Sequence, residues 1–174
     1  MSYELHGIKI DRFVRAYLEY MLATSTLYYC ECDCLVYTQY ANNEDLKYQR
    51  LDTCDNCGSP IYDADKDCPE FLDGKYEIED IAKETVEQAI KDCDKFRELA
   101  GDILCDENYL GSSQWDYEDV AGGDFWLTRN GHGSGFWDSG RWEKKAGEKL
   151  TKISNNFREI FVDLMDDQQT IIAE

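Results

Sequence analysis

Basic residues are scarce in this sequence: 18 Lys and Arg stand against 37 Asp and Glu, for a formal charge of −19. Proteins that bind DNA or RNA draw most of their affinity from Lys and Arg neutralising phosphates, so direct nucleic-acid binding is disfavoured. The same deficit speaks against an anionic membrane surface. No run approaches the roughly 18 apolar residues that a membrane-spanning helix needs. The N-terminus, Met1-Ser2-Tyr3-Glu4, lacks the basic and apolar regions of a signal peptide, so the cytoplasm is the expected compartment. There is no internal repeat and no low-complexity tract.

What is present suffices for a core. Hydrophobic residues make up 43% and aromatics 13% of 174 residues, enough for about one domain and a modest appended module. The acidic excess has two readings. One is solubility and self-repulsion. The other is a carboxylate surface that imitates a phosphate backbone and occupies a nucleic-acid-binding partner.

Ile10, Phe13, Val14, Tyr17, Leu18, Met21 and Leu22 recur at three- and four-residue steps and predict an amphipathic helix ending near Thr24-Ser25-Thr26. A second helix is predicted over 79–100, with Val86, Ile90, Cys93, Phe96 and Ala100 as its stripe and Gly101 as its terminator. A third covers 144–158, with Ala146, Leu150, Ile153 and Phe157 inward. Leu27-Tyr28-Tyr29, Leu35-Val36-Tyr37-Thr38 and Ile61-Tyr62 read as short strands, and residues 160–164 and 170–172 as a closing hairpin. The expected class is α+β, with helices packed on a small antiparallel sheet.

Residues 27–71 have a different texture, rich in Tyr, Cys, Asp and Asn. Eight cysteines in a reducing compartment point to metal or free thiols rather than disulfides. Cys54-Asp55-Asn56-Cys57-Gly58 is the stronger half of a zinc-ribbon-like pattern: two thiolates three residues apart converge on one ion, and the glycine relieves the turn. The partner half lies in Cys30-Glu31-Cys32-Asp33-Cys34. The expected ligands of a structural Zn²⁺ are Cys32, Cys34, Cys54 and Cys57, with Cys30 or Cys68 as substitutes. Unliganded thiols or an iron–sulfur cluster are the competing readings. Cys93 and Cys105 read as core residues.

Residues 124–138 read Asp-Phe-Trp-Leu-Thr-Arg-Asn-Gly-His-Gly-Ser-Gly-Phe-Trp-Asp. Phe125-Trp126-Leu127-Thr128 and Phe136-Trp137 are predicted as strands flanking a glycine-rich turn, with Asn130-Gly131 as a reverse-turn signal. The tip would present Arg129, Asn130, His132 and Ser134 to a partner or ligand. In a catalytic reading His132 is a general base, Arg129 clamps an oxyanion or phosphate, and Asp124 or Asp138 orients the imidazole. In a structural reading Arg129 pairs with Asp124 or Asp138 inside the fold. Trp115, Trp126, Trp137 and Trp142 read as core residues rather than a base-stacking platform.

This stretch resembles the signature A-G-H-D-F-W-L-T-R-N-G-H-G-x-G-F-W-D of a group of small, uncharacterised bacteriophage proteins. Leu22-Ala23-Thr24-Ser25-Thr26, Leu72-Asp73-Gly74-Lys75-Tyr76-Glu77-Ile78-Glu79-Asp80-Ile81 and Gly147-Glu148-Lys149-Leu150-Thr151 fit the same group. The resemblance implies an α+β body of 1–26 and 72–174, with 27–71 as an inserted zinc-binding module. Where the signature has His before the Asp, this chain has Gly123, so a two-histidine site at that end is absent. The resemblance implies a phage origin and no particular chemistry. The expected function is an accessory protein that binds a host or phage protein, as an acidic inhibitor of a nucleic-acid-binding or defence protein. The alternative is a small hydrolase or transferase centred on His132 and Arg129.

Overall fold

The computed structural model describes residues 2–29, 35–36, 70–111, 114–138, 140–165 and 170–173. Cys30, Cys32, Cys34, Cys54, Cys57 and Cys68, and with them the expected zinc site and the Ile61-Tyr62 strand, lie outside the described residues. Among the described residues no helix is long and apolar enough to cross a membrane.

The class is α+β. Strands β1 (Tyr3–Leu5) and β2 (Ile8–Ile10) form an antiparallel hairpin. His6 and Gly7 make its turn, both with positive φ, as a type I′ turn requires. Helix α1 (Arg12–Thr24) follows, started by Asp11, whose carboxylate accepts from the Val14 N–H. It buries Phe13, Val14, Ala16, Tyr17, Leu18, Met21 and Leu22, the stripe expected from their spacing.

Past α1, β3 (Thr26–Tyr29) lies between β4 (Leu35–Val36) and β5 (Glu70–Phe71), antiparallel to both. Thr26 pairs with Phe71, Leu27 pairs with Glu70, and the Leu72 N–H donates to the Ser25 carbonyl. Two short 3₁₀ turns then lead to α2 (Lys83–Ala100), which buries Val86, Ala89, Cys93, Phe96 and Ala100 and stops at Gly101. Helix α4 (Lys144–Ser154) starts on Glu143, whose side chain accepts from the Ala146 N–H. The hairpin of β6 (Val162–Leu164) and β7 (Ile171–Ala173) closes the described chain.

The central correction concerns 124–138. Residues 125–128 are not a strand; they belong to helix α3 (Tyr117–Arg129), and Phe136-Trp137 lies in the loop after it. All residues from Val120 to Arg129 are buried. A helix covered on every side needs no polar face, so its aromatic run carries no helical period and resembles a strand.

Helices α3 and α1 run in the same direction. Arg12 meets Asp116 and Asp119 at one end, and the Trp126 indole N–H donates to the Thr24 hydroxyl at the other, at 2.8 Å. Glycines permit the close approach. A Cβ on Gly122 would sit 2.1 Å from the Phe13 carbonyl oxygen, and one on Gly123 would sit 2.6 Å from the Tyr20 ring. Around this pair the aromatic rings stack. Phe96 lies 4.2 Å from Phe125 and 5.5 Å from Phe136, centroid to centroid, and Phe157 stands edge-on to Phe125 at 4.9 Å. Trp126 and Trp142 belong to this core, whereas Trp115 and Trp137 are exposed, contrary to the sequence expectation.

Candidate functional site

Arg129 is the last residue of α3, and its side chain points into the body rather than out from a tip. It is 6% exposed, and four of the five N–H groups of its guanidinium donate to the protein. Nε and Nη2 donate to the Arg158 carbonyl at 3.0 and 2.7 Å; Nη1 donates to the Tyr17 hydroxyl at 2.9 Å and to Asp92 at 2.7 Å. The guanidinium also meets aromatic carbon: the Phe125 and Phe157 ring centroids lie 5.5 and 5.4 Å from Cζ. Burial pushes the Tyr17 phenol far above its ordinary pKa, so it stays protonated.

The expected pairing of Arg129 with Asp124 or Asp138 does not form. Asp124 is fully buried and accepts from Arg141 Nη1 at 3.0 Å and from the Trp142 indole N–H at 2.7 Å. Burial raises its pKa, against the lowering effect of those two donors. Asp138 lies near the same guanidinium, 3.6 Å from Arg141 Nη2. Arg141 thus takes the role assigned from sequence to Arg129.

Asn130-Gly131 is a helix stop rather than a hairpin turn. Gly131 has φ of 65°, the Gly131 N–H donates to the Thr128 carbonyl, and the His132 N–H donates to the Leu127 carbonyl. These two bonds are the Schellman pattern, which satisfies the last carbonyls of a helix. A left-handed glycine serves either turn, and the dipeptide alone does not separate them. The Asn130 amide donates to the Trp126 carbonyl at 2.9 Å and its oxygen accepts from the Ile160 N–H at 2.7 Å, tying α3 to the start of the final hairpin. Thr128 accepts from the Phe136 N–H at 3.1 Å and holds the returning loop.

His132 and Ser134 are half-buried in that loop. The His132 ring lies 6.4 Å from the Trp126 ring, and no carboxylate of the described residues hydrogen-bonds its imidazole. Gly123, where the signature has His, faces the Tyr20 ring, so a larger residue there meets a side chain already in place. Sequence reasoning missed Asp92, Tyr17, Arg158 and Arg141. Of these only Arg141 carried a signal, three residues from Asp138 and next to Trp142.

Burial lowers the His132 pKa from its ordinary 6.5, so the folded chain takes up this proton less readily than the unfolded one. The stability gained by keeping the ring neutral is in place above the ordinary value and is lost as pH falls through the lower folded value. Asp124 has the opposite sign: its pKa is raised, so its contribution is present below the ordinary carboxylate value and is lost as pH rises through the higher folded value. Urea midpoints at about pH 7.5 and about pH 5.5 test the histidine. The wild type is expected to lose more of its midpoint on acidification than His132→Gln. Equal losses would show that this ring does not contribute.

No protein-family model, curated protein or solved structure matches this chain.

Proposed function

We propose that this is a phage-encoded accessory protein of the host cytoplasm that acts by binding a host or phage macromolecule, as an acidic inhibitor of a nucleic-acid-binding or defence protein. One observation carries the reading: four polar groups of 124–138, the charged Arg129 and Asp124 among them, are spent inside the fold. Arg129, Asp124, Asn130 and Thr128 each hold the body together through the bonds described above. A hydrolase or transferase centred on His132 and Arg129 would need that guanidinium open to a substrate, and it is buried and already paired.

Acidic charge is in excess along the chain outside this segment. From 101 to 119 it carries Asp102, Asp106, Glu107, Asp116, Glu118 and Asp119 and no Lys or Arg, and Arg12 of α1 meets only Asp116 and Asp119 of these. Carboxylates in excess suit a partner with a basic face, steering encounter and fixing specificity. The phage origin rests on the resemblance of the signature.

Affinity capture on the tagged full chain tests the proposal. Nuclease-treated host lysate is expected to yield nucleic-acid-binding proteins whose retention falls as salt is raised, beyond what a control protein of equal charge retains. His132→Ala should leave the captured set unchanged. Retention no better than the control would overturn the binding reading, and loss of the partners in His132→Ala would return the loop to the functional surface.

A further inference from the structure

An open cleft of about 480 Å³ lies between α1 and residues 73–79, and Arg129 is not among its lining residues. Its apolar walls are Leu22, Ile78 and the rings of Tyr20 and Tyr76. Glu19, Asp73, Glu77 and Glu79 supply four carboxylates, against one guanidinium, that of Arg15. Arg15 is already committed: its Nε donates to Glu19 at 2.6 Å and its Cζ stands 4.2 Å from the Tyr3 ring centroid. With Lys75 standing over the Tyr76 ring at the same wall, the cleft and its rim hold four carboxylates against two cations, a net negative charge.

We infer that this cleft is the docking site for a basic peptide segment, taking an Arg or Lys side chain against the Tyr20 ring while the carboxylates of residues 73–79 hold neighbouring cations. The inference rests on the binding role proposed above and names the face that performs it.

Two features decide the occupant. The first is the pairing of rings with carboxylates. A guanidinium or ammonium gains from both at once, through the face of a tyrosine and a charge-assisted hydrogen bond. The chain's own cations already behave this way here, since Lys75 Nζ stands 5.5 Å from the Tyr76 ring centroid as Arg15 stands over Tyr3. The second is the spread of the charge. Among the described residues no three acidic, His or Cys side chains converge as a metal ion requires. The carboxylates instead follow one another along 73, 77 and 79, with Glu19 on the opposite wall, a spacing that fits charges strung along a chain. At this size the cleft falls in the range of ~300–1,000 Å³ typical of ligand sites.

Tyr20 ties the cleft to the core. Its ring occupies the space beside Gly123 that any Cβ would fill, so the glycine is what lets the ring sit there.

Binding of a fluorescein-labelled arginine–glycine repeat peptide to the full chain, followed by fluorescence anisotropy, tests the inference. Asp73→Asn with Glu79→Gln removes two exposed carboxylates from the cleft; Glu84→Gln with Glu148→Gln removes two exposed ones elsewhere. The cleft pair is expected to weaken the peptide about tenfold, and the distant pair less than twofold. Equal weakening by both pairs would mean diffuse attraction to an acidic surface, and would overturn the inference. So would free spermidine competing as well as an unlabelled copy of the peptide, since that assigns the site to small amines. If lysate capture by the cleft pair equals that of wild type, the cleft is not the partner face although the binding role stands. If wild type captures nothing, the binding role itself fails.

Discussion

Arg129→Ala is expected to lower the unfolding free energy by about 3–5 kcal/mol, the usual cost of removing one partner from a buried ion pair. The reason lies in what is left behind. Asp92, which is 18% exposed at its side chain, loses its counter-charge, the Tyr17 hydroxyl loses a donor in a site closed to water, and the Arg158 carbonyl loses two. Each buried polar group left unpaired costs about 1–3 kcal/mol. A loss of this size is a large share of the 5–15 kcal/mol that typically holds a folded domain together, and translates to a melting point lower by about 6–20 °C. Urea unfolding of wild type, Arg129→Lys and Arg129→Ala measures it. The lysine keeps the charge and gives up the planar fork, so it should fall between the other two. A change under ~1 kcal/mol in the alanine variant would mean that the guanidinium network does not anchor the body.

Gly122→Ala is expected to destabilise by about 2–3 kcal/mol, against the sign that helix propensity gives. In an exposed helix the change from glycine to alanine gains up to ~1 kcal/mol. Here the new methyl would lie 2.1 Å from a backbone oxygen of α1 and 3.1 Å from the Ala16 Cβ. Backbone has no rotamer to yield, so the two helices must separate and open the aromatic stack beneath them. Gly123→Ala is the internal comparison. Its methyl meets the far edge of the Tyr20 ring, a side chain that can turn aside, and the cost should be smaller. Denaturant midpoints of the two variants decide the matter: if Gly122→Ala proves more stable than wild type, α1 and α3 are not packed at this distance.

Much of the fold was legible in the residues because α1, α2 and α4 each have one wet face. Phe13, Tyr17 and Leu18, or Val86, Cys93 and Phe96, repeat at helical steps only because the positions between them are polar. The β6–β7 hairpin was legible from its β-branched residues. Helix α3 was not, and its burial explains why: with solvent on no side, Phe125-Trp126-Leu127-Thr128 bears no period, and the glycines on both sides favour a strand reading. The same burial misdirected the site. Arg129, Asn130 and His132 are adjacent in sequence and were expected to share a surface, yet the Arg129 partners Tyr17, Asp92 and Arg158 come from three separate stretches. Spacing along one segment carries no trace of such partners. The charge argument depends on composition alone, and it is the part of the functional reading on which the cleft builds.

The stem that joins Ser25 to Leu72 has a consequence for where the chain leaves the body. Antiparallel neighbours stand about 4.8 Å apart, so the polypeptide departs from the body and re-enters it at almost one point. The pairing of Thr26 with Phe71 and of Leu27 with Glu70 holds both ends of that stem, so the spacing of the two strands is set by their own hydrogen bonds.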